Sequence, residues 1–312
     1  MLAEAPTIEG DYLGIVSDAW LEETLLEQQL LTSNLLHHFG PEKGVPQIDL
    51  ITTLDSAANL SYGRKAEKWG HEVGVRVVPH FFGDDFEAAG SIEYELGPHN
   101  DVDHMLAFLP SWTWEGQLAI RHAMPAHKDV DGVTLRQKVP RLVPATAEAM
   151  QISAERIAGR QLQEMGRIGV IGYGERTLKP LVERIMRDRQ IKPAVLLQSK
   201  DEIKALQRGK FVDEIKACDT VFTAVPVGGL LTAERVRPGQ IIIDVGYGIH
   251  PETEEACGNV DPSVFTLGGL VKATAFRRGV GPITVAITVG RAIDARMEKL
   301  GIDKPTALAL AA

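Results

Sequence analysis

The sequence predicts an α/β protein of two domains, and three observations carry that expectation. Short apolar runs alternate with helix-like stretches, the pattern of a parallel sheet covered by helices. The alternation occurs twice, on either side of a helical stretch at 144–160. The chain has 312 residues, enough for two domains of ordinary size, each with its own core.

The elements follow in order. Leu21, Leu25, Leu26, Leu30, Leu35 and Leu36 recur at helical spacing within 19–39 and predict an amphipathic helix. Pro46 to Thr53 is a short apolar run ending in polar residues, hence a strand. Asn59 to Gly74 reads as a helix stopped by a glycine. Val75 to Phe82 and His104 to Leu109 read as strands, the second closed by Pro110. After the linking helix at 144–160, Ile168 to Ile171 is a strand, Leu178 to Arg187 a helix and Ala194 to Leu197 a strand. Val221 to Val225 and Ile241 to Val245 are further buried strands. A last helix, Thr284 to Leu300, follows a Gly-Val-Gly-Pro turn.

Composition narrows the function. A net charge of −9 without a Lys/Arg cluster argues against nucleic acid, whose phosphates demand clustered cations. Two cysteines, Cys218 and Cys257, allow no disulfide framework and fit a reducing cytoplasm. No run of about 18 apolar residues is present, so no membrane span is expected. The N-terminus does not read as a signal peptide.

The most informative stretch is Arg167 to Pro180. An apolar strand stops at Gly172-Tyr173-Gly174 and a helix follows, which is how a strand delivers a phosphate to helix N–H groups. The third glycine of the usual fingerprint is missing, since Thr177 stands there. The Lys128-Asp-Val-Asp-Gly132 loop sets two carboxylates one residue apart, able to bond a polar heterocycle or to form an Asx turn. Ile243-Asp-Val-Gly246 places Asp244 at the carboxyl end of a buried strand, where open sheets put ligands. Gly279-Val-Gly-Pro-Ile-Thr284 is a second glycine turn feeding a helix, and lets backbone approach a ligand. Nine scattered histidines show no metal-ligand spacing, so no metal is expected.

Taken in order, these segments resemble the methylenetetrahydrofolate dehydrogenase/cyclohydrolase family from about Val45 to Ala292. Lys128–Gly132 matches its K-D-V-D-G loop, and Pro144-Ala-Thr146 resembles P-C-T-P. Gly172–Pro180 sits where the family has G-R-S-x-x-V-G-x-P. Ile243–Gly246 matches I-D-V-G, and Asn259-Val-Asp261 resembles G-D-V-D. Gly279–Ala286 matches G-V-G-P-M-T-V-A. The resemblance implies an N-terminal α/β folate-type domain, a Rossmann-type dinucleotide-binding domain and a cleft between them. It places the substrate domain at 1–155, with a C-terminal helix at 284–312 packing back on it, and the Rossmann-type domain at 156–283. It also implies a homodimer, a folate-type substrate, and hydride transfer to NAD or NADP.

The departures fall mostly in the folate site. The family's Tyr-x-x-x-Lys reads here Tyr62-Gly-Arg-Lys-Ala66. Lys65 is one residue early, rotated by about 100° on a helix. Phe108 replaces the glutamine of the family's V-Q-L-P-L-P strand. Arg277 and Arg278 replace a proline and a glycine, and Trp112 and Trp114 replace smaller residues. Tyr173 replaces the arginine that would pair with the 2′-phosphate of NADP, while Ser199 and Asp201 can meet a free ribose hydroxyl.

The expectation is an NAD-dependent methylenetetrahydrofolate dehydrogenase without cyclohydrolase activity, NADP being disfavoured. The alternatives are the same fold acting on a different pterin or one-carbon carrier, or a non-catalytic relative. Tyr62 and Asp131 are expected as catalytic residues. Phe108, Arg278, Gly279 and Gly281 join them around the substrate. Gly172, Tyr173, Gly174, Ser199 and Tyr247 are expected around the dinucleotide.

Overall fold

A computed structural model of the chain describes residues 16–53, 57–82, 104–108, 118, 121–134, 142–267, 271–274 and 279–310. They fall into two compact units. The first comprises the described residues of 19–145 together with 282–310, and the second those of 16–18 and 146–281.

The first unit holds a three-stranded parallel sheet in the order β2-β1-β3: β1 is Gln47–Thr53, β2 Arg76–Phe82 and β3 His104–Phe108. Successive side chains of a strand point to opposite faces. Ile48 and Leu50 of β1 enter the core, while Asp49, on the other face, is paired with His80 Nε2 at 2.8 Å. The core is closed by α1 (Val16–Gly44), α2 (Ala57–Val73), α7 (Val280–Lys299) and α8 (Lys304–Ala309), which contribute Leu31 and Leu35, Ala66 and Val73, Val285 to Met297, and Ala307.

The leucine pattern of α1 is only half used. Leu35 is buried and Leu25 packs on the core, whereas Leu26, Leu30 and Leu36 are exposed. Polar residues complete the inner face instead. The Gln28 amide donates to the Ala286 carbonyl at 2.9 Å and accepts the Trp69 indole N–H at 2.8 Å. Asn34 donates to the Ala307 carbonyl at 2.9 Å. Such bonds satisfy groups that burial would otherwise leave costly. The helix breaks at Gly40 (φ 76°), and Pro41 follows.

Helix α2 stops as the sequence predicts. Gly74 takes φ +77° and Val75 N–H reaches back to the Gly70 carbonyl at 2.8 Å, a six-to-one closure that only a left-handed residue permits cheaply. The Thr32 hydroxyl donates to the Val73 carbonyl at the same corner. The last helix differs from expectation. It begins at Val280, so the glycine turn is its first helical turn, where Pro282 is tolerated because early N–H groups lack intrahelical acceptors.

The second unit is a doubly wound sheet. Its strands are β4 (Ile168–Ile171), β5 (Val195–Leu197), β6 (Thr220–Thr223), β7 (Ile241–Asp244) and β10 (Lys272–Ala273), ordered β10-β7-β6-β4-β5 and parallel throughout. Burial on both faces explains why β4 and β6 are apolar or threonine at every position. Helices α3 (Ala145–Ala158), α4 (Leu178–Met186, its last six residues a wider π-turn), α5 (Lys200–Gln207) and α6 (Val212–Lys216) accompany it. A small antiparallel hairpin joins β8 (Gly248–Ile249) and β9 (Ala256–Cys257). The order reverses at β4, since β5 lies on one side and β6 on the other.

Candidate dinucleotide and substrate sites

In an open parallel sheet the carboxyl ends of strands at the point of reversal leave a crevice for ligands. Here that point is the end of β4, where Gly172-Tyr173-Gly174 begins the turn into α4. Gly172 has φ +112°, and a Cβ there would stand 2.7 Å from the Ala224 carbonyl oxygen and 3.0 Å from a Val225 methyl. Only glycine lets β4 and β6 end so close together. Its N–H donates to the Leu197 carbonyl of β5 at 2.7 Å. Gly174 answers to its own turn: a Cβ would meet Thr177 Oγ1 at 2.5 Å, and its carbonyl accepts the Thr177 and Lys179 N–H groups, each at 3.1 Å.

Tyr173 lies back along α4. Its hydroxyl donates to the Glu183 carboxylate, and Lys179 stands 5.8 Å from its ring centre while pairing with Glu175 at 2.6 Å. Partial burial, then the Glu183 carboxylate, push the phenol up to about 12, so it remains a neutral donor.

Ser199 caps α5. Its hydroxyl accepts the Glu202 N–H at 3.2 Å and donates to the Glu202 carboxylate at 2.9 Å. Asp201, singled out in the sequence for the ribose, is exposed in the first turn of that helix. The carboxylate at the end of β5 is that of Glu202. The signal was legible: Ser199-x-x-Glu202 is a capping box.

At the end of β7, Asp244 does turn chemistry. It is partly buried and accepts the Gly246 N–H at 2.7 Å and the Val260 N–H at 2.9 Å. Burial pushes its carboxyl up to about 6 despite those bonds. A Cβ on Gly258 would lie 2.3 Å from its oxygen, and one on Gly246 2.1 Å from Asn259. Sequence reasoning gave Asn259 no role. It accepts from the Thr223 hydroxyl and Val225 N–H and donates to the Val225 and Val227 carbonyls, all within 3.0 Å, so one side chain ties the loop after β6 to the segment after β9. Tyr247 is 47% exposed just past β7. His250 donates to Asp261 at 2.8 Å and is partly buried beside it.

In the first unit, Asp129 shapes the Lys128–Gly132 loop. Its carboxylate accepts the N–H groups of Asp131 at 3.1 Å, Gly132 at 2.8 Å and Thr134 at 2.7 Å. Burial pushes it up to about 6 against those bonds. Arg291 of α7 donates to the carbonyls of Val130 at 2.9 Å and Val143 at 2.7 Å, tying the middle of the loop to the segment before α3. Asp131 is 5% exposed within this frame. Tyr62 packs against the core from α2, and one turn on Ala66 lies inside that core at 7% exposure, while Lys65 is exposed. Phe108 ends β3 and pairs in register with Ile51 of β1.

Gly279 is buried at the start of α7, whereas a Cβ on Gly281 would meet nothing within 4 Å. Arg277, Arg278, Trp112 and Trp114 lie outside the described residues. Among the described residues no group of three or more His, Cys, Asp or Glu is placed to hold a metal, and no helix is long and apolar enough to cross a membrane.

A doubly wound parallel sheet with a glycine turn at its point of reversal defines the class: a two-domain α/β protein with a Rossmann-like domain. Residues 156–299 match the family described as tetrahydrofolate dehydrogenase/cyclohydrolase, NAD(P)-binding domain. The chain is 24% identical over 272 residues to the bifunctional protein FolD of Anoxybacillus flavithermus, covering 81% of this chain and 88% of the relative. In fold it is similar to a 5,10-methylenetetrahydrofolate dehydrogenase of the silkworm Bombyx mori (TM-score 0.71, 22% identity, 91% and 97% of the two chains covered). It is equally similar to the Trypanosoma brucei dehydrogenase-cyclohydrolase FolD, solved with NADP and an inhibitor (TM-score 0.71, 21% identity, 96% and 99% covered). Residues 156–299 thus carry the NAD(P)-binding domain of the tetrahydrofolate dehydrogenase/cyclohydrolase family, and the likeness to FolD relatives extends over most of the chain.

Proposed function

We propose that the chain is an NAD-dependent methylenetetrahydrofolate dehydrogenase that lacks methenyltetrahydrofolate cyclohydrolase activity. The observation that carries the reading is the place of Ala66. Where the family sets a lysine one helical turn after the tyrosine, this chain sets a methyl group packed in the core at 7% exposure. Water activation loses its ammonium there, and Phe108 replaces the accompanying glutamine. Hydride transfer depends mainly on holding two rings face to face, which survives that loss.

The bound dinucleotide would supply the hydride acceptor. Gly172, Tyr173, Gly174, Ser199 and Tyr247 would hold it from the carboxyl edge of the second unit's sheet, and that compact, partly exposed turn fits a pyrophosphate. Tyr62 and Asp131 would orient the folate, with Phe108, Arg278, Gly279 and Gly281 around it. A preference for NAD is supported by Tyr173, whose hydroxyl is engaged by Glu183 where an arginine would answer a 2′-phosphate. We assign residues 1–155 and 284–312 to the substrate domain and 156–283 to the dinucleotide domain, in a homodimeric, cytoplasmic enzyme.

The test is to supply methylenetetrahydrofolate with NAD, then with NADP, and follow absorbance of the reduced cofactor. Methenyltetrahydrofolate is given separately and its hydrolysis followed. Turnover with NAD and no enzymatic hydrolysis are expected. No turnover with either nucleotide, or hydrolysis well above the spontaneous rate, overturns the reading.

A further inference from the structure

We propose that Glu202 selects the dinucleotide without a 2′-phosphate, by holding a carboxylate at the corner where that phosphate would dock. The inference rests on the reading that the second unit binds a nicotinamide dinucleotide. In a doubly wound sheet the adenosine ribose is read at the end of the strand beside the glycine turn. That strand is β5, joined to the turn by the Gly172 N–H on the Leu197 carbonyl at 2.7 Å.

At this corner the free N–H groups of the strand end and helix start would attract an anion. The chain has already used those of Gln198 and Ser199. One oxygen of Glu202 accepts the Gln198 N–H at 2.9 Å, the Ser199 N–H at 2.8 Å and the Ser199 hydroxyl at 2.9 Å. Those donors, the Ser199 N–H foremost and Gln198 next, hold the carboxyl below its ordinary range, so it is ionised at neutral pH. A carboxylate still has acceptor capacity for a ribose hydroxyl. A phosphate there would face an intact negative charge and find the Gln198 and Ser199 N–H groups taken.

Tyr173 is bonded to Glu183, and Lys179 is paired with Glu175. Lys200 and Asp201 follow Ser199 and are exposed, one charge of each sign. Asp201 was the obvious acidic candidate, but the three hydrogen bonds fix Glu202.

Calorimetric titration of the full chain with NAD and with NADP tests the assignment, using the wild type, Glu202→Gln, Glu202→Ala and Asp201→Asn. Glutamine keeps an oxygen for the backbone N–H groups and removes the charge, and circular dichroism checks that each variant is folded. The wild type is expected to bind NAD at least about tenfold more tightly than NADP. Both Glu202 variants are expected to bring the ratio near one, and Asp201→Asn to leave it unchanged. Equal wild-type affinities, a ratio unmoved by both Glu202 variants, or a ratio collapsed by Asp201→Asn alone overturns it. Binding of neither nucleotide by the wild type instead removes the dinucleotide reading underneath, and the assignment falls with it.

Discussion

Asn259 binds Val225 as a neighbouring strand would: its Oδ1 accepts the Val225 N–H at 3.0 Å while its Nδ2 donates to the Val225 carbonyl at 2.8 Å. A side chain here substitutes for a backbone ladder at the sheet edge where the dinucleotide is proposed to lie. It is fully buried, so each bond lost strands a polar group away from water.

Asn259→Asp keeps the acceptor and replaces the Nδ2 that donates to both the Val225 and Val227 carbonyls with an oxygen that can only accept. We expect a loss of about 3 kcal/mol of stability, and about tenfold weaker dinucleotide binding in the variant that remains folded. Chemical denaturation and calorimetry read the two effects. A variant as stable as the wild type would show that the latch is dispensable.

Gly172→Ala places a methyl 2.7 Å from the Ala224 carbonyl at a φ of +112°. Neither backbone nor neighbour can yield cheaply, so at least about 2 kcal/mol of destabilisation is expected. Gly281→Ala, whose Cβ would meet nothing within 4 Å, should cost less than about 1 kcal/mol. Thermal melts of the pair compare a glycine required by contact with one that is not, and equal melting temperatures would refute the distinction.

Ala66→Lys restores the family's residue type but buries an ammonium in the apolar core of the first unit. We expect about 3 kcal/mol or more of destabilisation and no gain of methenyltetrahydrofolate hydrolysis. Appearance of hydrolysis in the single variant would mean that the helix face can turn toward substrate.

Asp129 and Asp244 are each pushed up to about 6, first by burial, from an ordinary value near 3.8. Between those values the folded chain holds protons that the unfolded chain has released. Their contribution therefore weakens the fold as pH rises through this window. It is absent below about 3.8 and fully present above about 6, on the order of 3 kcal/mol for each group. Carboxyl carbon NMR should find both midpoints near pH 6, and midpoints below about 4.5 would contradict it.

The fold was largely readable because buried parallel strands announce themselves. Ile168–Ile171 and Ile241–Asp244 are apolar runs bounded by glycine, and their ends lie within a residue of where the pattern places them. What escaped was local polar bonding. Asp244 and the carboxylates of Lys128–Gly132 could be read as ligand groups or as turn residues, because a lone sequence cannot tell which N–H groups a carboxylate will meet; Asp244 and Asp129 both accept backbone donors. Asp201 drew attention over Glu202 because it comes sooner after the strand, yet only the third helical position reaches back to the cap. The leucines of α1 misled in the opposite direction: Gln28, Thr32 and Asn34 fill inward positions that the periodicity reserved for apolar residues.

The first unit is assembled from two stretches, 19–145 and 282–310, separated by residues 146–281 of the second. Its core needs Val285, Val289 and Met297, and its Lys128–Gly132 loop needs Arg291, all of them late in the chain. During synthesis the ribosome therefore delivers a complete second unit while the first still lacks its closing helices. The order of maturation runs against the order of translation. Protease digestion of chains arrested near residue 281 should find 146–281 resistant and 19–145 cleaved, and protection of both would show that the early segment closes without its late partner.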